Sequence, residues 1–182
     1  MARAHIVGAS GAGSTTLGRA LAARLDVAHL DTDDFFWVPS DPPFETIRAR
    51  AERQALLGDA LARHPGWVLS GSLCGWGDGF IPRFDLVVFV WLAPDIRLAR
   101  LRAREVARYG QEAVAPGGAR HAKAEAFLEW AAGYDERLEV PERCRALHEQ
   151  WLAALPCPVL RLMTPATVDA HVAEVLARLS SP

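Results

Sequence analysis

The chain has 182 residues, of which 51% are hydrophobic and 23% charged, with a formal net charge of -2. That length suits one domain able to bury its own core without disulfide or metal staples, and the near-neutral balance gives no footprint for a nucleic-acid partner. The longest apolar run, Leu86 to Ala93, is far too short to span a bilayer, and three cysteines without a CxxC pair or zinc spacing, behind a strand-like start, fit free thiols in a reducing cytoplasm.

Ala4 to Val7 is a short apolar run ahead of glycines and predicts a buried strand entering a tight turn, Gly8 to Gly13. Ser14 to Leu25 carries Leu17, Leu21 and Leu25 on one face and predicts a helix. Val27 to Leu30 predicts a second strand that runs into an acidic and aromatic loop, Asp31 to Trp37, and Pro39, Pro42 and Pro43 keep the next stretch irregular. A polar helix over Glu45 to Arg63 is stopped by His64-Pro65-Gly66, and a third strand, Trp67 to Leu69, leads into a glycine-rich loop over Ser70 to Gly79. Leu86 to Leu92 is apolar on both faces, as the middle of a parallel sheet requires. Helices are expected over Pro94 to Arg108, about Ala119 to Ala132 and Pro141 to Leu155, with a break at Gly110 to Gly118. A last strand, Pro158 to Leu162, and a closing helix, Thr167 to Leu179, complete the chain. Strands alternating with helices predict an α/β fold: a doubly wound five-stranded parallel sheet in one domain, residues 1–182, with a helical lid over about 97–150.

The strongest motif is Gly8-Ala9-Ser10-Gly11-Ala12-Gly13-Ser14-Thr15, spaced GxxxxG-x-[ST] between a strand and a helix. Its glycines let the backbone curl so that successive N–H groups point at one anion, and the helix N-terminus adds the positive end of its dipole. Thr15 sits where a hydroxyl would hold Mg²⁺, and Ser14 stands where a lysine normally reaches the β/γ-phosphates. Serine supplies a hydrogen bond there but no charge, and Lys123 is the sole lysine of the chain.

The segment VGASGAGSTTLGRALA resembles the start of the P-loop small-molecule kinases related to adenylate and shikimate kinases, and also the topology-modulation-like proteins. The likeness extends to the acidic loop, the third-strand motif and the arginine-rich helix, and fades over Gly110 to Gln150. It implies a P-loop NTPase fold of the nucleoside monophosphate kinase type. It also implies ATP and Mg²⁺ at Gly8, Ser10, Gly11, Ala12, Gly13, Ser14, Thr15 and Thr16.

Loops at the carboxyl ends of strands in a doubly wound sheet line one crevice, so Leu30-Asp31-Thr32-Asp33-Asp34 falls near the phosphate loop. Phosphoryl transfer needs carboxylates there, one on the metal side and one to orient or deprotonate the attacking group. By the likeness of LDTD to the shikimate kinase pattern, Asp31 is the metal-side residue and Asp33 the acceptor-side catalytic residue, with Asp34 a further candidate for either place. Phe35, Phe36 and Trp37 are candidates for a wall against the acceptor, Arg48 and Arg53 for a clamp on an acceptor phosphate, and Gly71 for close backbone approach. Arg97, Arg100, Arg104 and Arg108 share one helical stripe with few acids nearby. The likeness implies that lid arginines touch the phosphates, Arg100 at the nucleotide and Arg104 at the transferring group, and that an arginine can replace the missing lysine charge.

The sequence therefore predicts a cytoplasmic ATP-dependent phosphotransferase acting on a nucleoside, nucleoside monophosphate or small alcohol, working as monomer or homodimer. The alternative is a nucleotide-binding regulatory protein with little turnover, which Ser14 favours and the acids and arginine stripe oppose.

Overall fold

In the computed structural model, residues 1–137 and 143–180 are described. Five strands, β1 (Arg3–Gly8), β2 (Ala28–Asp31), β3 (Trp67–Ser70), β4 (Leu86–Val90) and β5 (Val159–Leu162), form one all-parallel sheet in the order β2-β3-β1-β4-β5. Among the described residues, eight α-helices flank and connect them: α1 (Ser14–Leu25), α2 (Thr32–Phe36), α3 (Arg50–Ala62), α4 (Pro94–Tyr109), α5 (Gln111–Val114), α6 (His121–Ala132), α7 (Arg145–Ala153) and α8 (Val168–Ser180). Among the described residues, no helix is long and apolar enough to cross a membrane.

The period of two along each strand explains the two cores. Ala4 and Ile6 of β1, with Leu86, Val88 and Val90 of β4, face α1 and α8 and pack on Leu17, Leu21, Val172 and Val175. Val7, Val87 and Phe89 point the other way, into a core with Leu57 and Leu61 of α3, Trp67, Trp76, Phe80 and Leu152. A strand covered on both faces has no use for a polar side, which is why β4 reads as an unbroken apolar run. His5, on β1, is the exception: it is fully buried against Phe84, donates one hydrogen bond from Nδ1 to Leu69 O at 3.1 Å, and burial lowers its pKa to about 4. A third, smaller cluster (Leu101, Leu128 and Ala131 with Leu98, Phe127 and Trp130) holds α6 against α4.

Local departures from the sequence expectations have physical causes. The acidic segment does not stay a loop. Asp31 caps it by accepting from Asp33 N at 3.1 Å, and one helical turn, α2, follows. The polar helix expected from Glu45 begins only at Arg50, because the preceding residues pair in extended form: Val38 N donates to Thr46 O and Arg48 N to Phe36 O, both at 2.9 Å. Pro141, the expected start of the penultimate helix, lies outside the described residues, and α7 begins at Arg145.

Candidate active site

The carboxyl ends of β1, β2 and β3 open into a cleft of about 1490 Å³. At its floor the turn between β1 and α1 is shaped by close approaches. A Cβ on Gly8 would lie 2.3 Å from Val90 O, and Gly11 and Gly13 hold φ of 81° and 102°. Gly13 caps α1 without a side-chain hydrogen bond, and no acid stands in the first turn. The N–H groups at the start of that helix thus face the cleft with no acid of their own turn beside them.

The acidic turn lies directly beside this floor. Thr15 Oγ1 donates to Asp31 Oδ2 at 2.8 Å, joining the first turn of α1 to the end of β2. Thr32 is buried under Gly71, whose φ is 104° and where a Cβ would meet Thr32 Oγ1 at 1.9 Å. This contact fixes α2 so that Asp33 and Asp34 line the cleft. Burial first, and Asp31 second, push the carboxyls of both above the ordinary carboxylate value, and Arg143 and Arg104 pull Asp33 part of the way back. Beneath the loop, His29 Nε2 lies 2.9 Å from Ser70 Oγ, which in turn donates to Ser14 O at 3.2 Å. Burial is the main reason that the His29 pKa is lowered, so the ring is neutral at physiological pH.

Of the residues singled out in the sequence, Gly8, Ser10, Gly11, Ala12, Gly13, Ser14, Thr15, Thr16, Asp31, Asp33, Asp34, Phe36, Trp37, Gly71, Arg100 and Arg104 all line this one cleft. Arg48 does not. Its guanidinium is spent on Phe35 O at 3.1 Å, Trp37 O at 3.2 Å and Glu52 at 2.6 Å, tying the aromatic segment to the start of α3. Arg53 lies over the rings of Phe36 and Trp76, at 4.3 and 5.3 Å, and stiffens that wall from behind. The arginine stripe of α4 also divides. Arg97 has no exposed surface, pairs with Asp135, and donates to Leu92 O at 3.0 Å and Ala131 O at 3.3 Å. The first turn of α4 abuts the phosphate loop, with Arg97 O 2.7 Å from where a Gly11 Cβ would be, so its stripe is covered there and opens to the cleft only from Arg100 onward.

Two features escaped the sequence. Arg143, just before α7, donates from Nη2 to Ser10 Oγ at 2.7 Å, with its guanidinium 4.9 Å from the Trp130 ring centre. Burial lowers its pKa, and the Asp33 charge acts the other way. The only signal for it was an arginine in the segment where the likeness fades. Glu45, between the aromatic segment and α3, accepts from Arg120 at 2.8 Å and also pairs with Lys123, which fastens that segment to the start of α6.

The AAA-domain family AAA_18 matches residues 5–125, which include the phosphate loop, the acidic turn and all of the arginine helix. The chain belongs to the AAA_18 family. This AAA_18 protein is 49% identical to the uncharacterized protein YqaC of Bacillus subtilis (strain 168), over 97% of each chain. In fold it resembles a shikimate kinase from Acinetobacter baumannii in complex with shikimate, with a TM-score of 0.57 at 14% identity, over 98% of this chain and 93% of that one. It also resembles a gluconokinase from Sinorhizobium meliloti 1021, with a TM-score of 0.54 at 19% identity, over 98% and 91%. The fold of this AAA_18 member is thus the P-loop kinase fold.

Proposed function

We propose that this protein transfers the terminal phosphoryl group of ATP to a small acceptor: a nucleoside, a nucleoside monophosphate or a small alcohol. The observation that carries the reading is the Thr15–Asp31 hydrogen bond at the uncapped start of α1, with Asp33 beside it on the cleft wall. A hydroxyl and a carboxylate at this place are hard oxygen donors, and Mg²⁺ in kinases takes few protein ligands, keeps waters and accepts phosphate oxygens. The described residues hold no cluster of three or more metal-ligating side chains, which matches such a sparse site and not an all-protein cage. Bound there, Mg²⁺ would neutralise charge on the β- and γ-phosphates.

The loop amides from Ser10 to Thr16 bind the phosphate chain of ATP. Asp33, on the cleft wall with its pKa raised, orients the acceptor group and takes its proton as the phosphoryl group transfers. Arg104 answers the charge that develops on the transferring group, and Arg100, whose side chain comes near Gly13, binds the nucleotide phosphates. Asp34, Phe36, Trp37 and Gly71 shape the acceptor side, with Arg48 supporting the aromatic wall through its backbone contacts. Helices α4 to α6 act as the lid that excludes water.

The second reading, nucleotide binding with little turnover, is favoured by Ser14 standing where the loop would carry a lysine. Phosphoryl transfer from MgATP across a panel of nucleosides, nucleoside monophosphates and small alcohols separates the two. Turnover on one acceptor that disappears in Asp33→Ala supports the kinase. MgATP binding without turnover on any acceptor supports the regulator, and no binding at all removes both.

A further inference from the structure

The phosphate loop and the first turn of α1, Gly8 to Thr16, contain no charged side chain. Phosphate chains carry several negative charges, and backbone amides alone leave much of that charge uncompensated. The lone lysine cannot supply the difference, since Lys123 and Arg120 are both committed to Glu45 at the far rim. Arg97 is locked to Asp135, and Arg104 shares its charge with Glu105 at 3.9 Å.

Arg143 stands apart. Its one side-chain hydrogen bond goes to a neutral group of the loop itself, Ser10 Oγ, and no carboxylate among the described residues lies within ion-pair distance of it. Its remaining N–H donors have no hydrogen-bond partner among the described residues, and the residue lines the cleft. A guanidinium partly withdrawn from water, with no ion pair among the described residues, gains most when an anion arrives. Its planar fork matches two phosphate oxygens at once. The base of the side chain is also fixed. Cys144 next to it is fully buried and caps α7, and Arg145 N donates to Tyr134 O at 2.8 Å. Arg143 is thus held to the body of the fold, while Arg100 is an exposed residue of α4 that comes near Gly13.

Resting on the phosphoryl-transfer reading of this cleft, we propose that Arg143 supplies the cation that the loop lacks, by binding the phosphate chain of the nucleotide beside Ser10. The assignment explains how Ser14 is tolerated: the charge has moved from the loop to a residue about 130 positions away in sequence that folds back onto it.

The test is calorimetric binding of MgATP, and of Mg-tripolyphosphate as the bare phosphate chain, to the full chain and its variants, each checked for folding by circular dichroism melting. Arg143→Met is expected to weaken both ligands on the order of 10- to 100-fold, the range for losing hydrogen bonds to a charged group. Arg143→Lys should fall between it and the wild type. Ser14→Lys placed in the Arg143→Met background should recover affinity, because it returns a cation to the same phosphates from the other side. Equal affinity of wild type and Arg143→Met, or a larger loss in Arg100→Met than in Arg143→Met, overturns the assignment. So does a folded Arg143→Met that Ser14→Lys does not improve. Failure of the wild type to bind MgATP at all overturns the underlying reading and this one with it.

Discussion

Gly71→Ala tests how the acidic turn is held. The new Cβ would sit 1.9 Å from Thr32 Oγ1 and 3.1 Å from Thr32 Cβ, on a backbone with φ of 104°. A side chain in that backbone region costs about 1–3 kcal/mol, and forcing atoms into a filled site costs about 1–3 kcal/mol more. The sum, roughly 2–6 kcal/mol, lowers the melting temperature of a chain this long by roughly 4–24 °C. The assay is thermal unfolding followed by circular dichroism, with MgATP affinity measured below the transition. Because α2 must shift to relieve the contact, Asp31 moves off Thr15 and affinity should fall together with stability. The backbone and steric parts can be separated with Thr32→Ala, which removes the nearest atom. The double variant should show a favourable coupling of about 1–2 kcal/mol, leaving the backbone share in place. A Gly71→Ala protein that melts within about 2 °C of wild type would refute the argument, since one kcal/mol already moves the midpoint that far.

Asp33→Asn should stabilise the fold at neutral pH while abolishing transfer. The folded-state pKa of Asp33 is raised above its ordinary 3.8, so the ionised form is penalised by folding at neutral pH, and the penalty fades as pH falls through the raised value toward 3.8. Melting curves at neutral pH and near pH 3.5 should therefore show the variant ahead only at the higher pH; an equal gap at both would contradict the assignment. Asp135→Asn leaves Arg97 buried without its counter-charge and should cost about 3–5 kcal/mol in urea unfolding, whereas Arg100→Ala, on the same stripe but exposed, should unfold like the wild type. Glu45→Gln releases Arg120 and Lys123 and should speed amide exchange in α6 without moving the global melting transition, as read by hydrogen-exchange mass spectrometry with and without MgATP.

The fold was legible wherever local pattern and global role agree. LVVFVWL can only be a strand covered on both faces, and the glycine spacing ahead of Ser14 dictates a strand, a turn and a helix in that order. Placing the acidic turn beside the phosphate loop needed no more than the rule that strand ends in a doubly wound sheet share a crevice. Spacing failed where it could not say what covers a helix. Arg97 and Arg104 share a stripe, yet residues 131–135 close over the first and leave the second open. Arg48 looked like a ligand clamp because a sequence does not show backbone carbonyls, and its donors end on Phe35 and Trp37. Arg143 was invisible for the opposite reason: its partner, Ser10, is at the other end of the chain, and only tertiary folding brings them together.

The cleft is made of two different materials. Its floor is backbone, held so tightly at Gly8, Gly11 and Gly71 that even a methyl group would collide within 2.7 Å. Its upper wall is side chains carried on loops and on α4 and α6, with Phe36, Trp37, Phe44, Tyr109 and Phe127 facing the space above Asp33. Under the proposed phosphoryl transfer, a lineage built this way can exchange one acceptor for another by substituting a few wall residues, while the floor that would grip the donor is left alone. Novelty in the molecules modified, with constancy in the group delivered, is the course of divergence that such a division of labour makes easy.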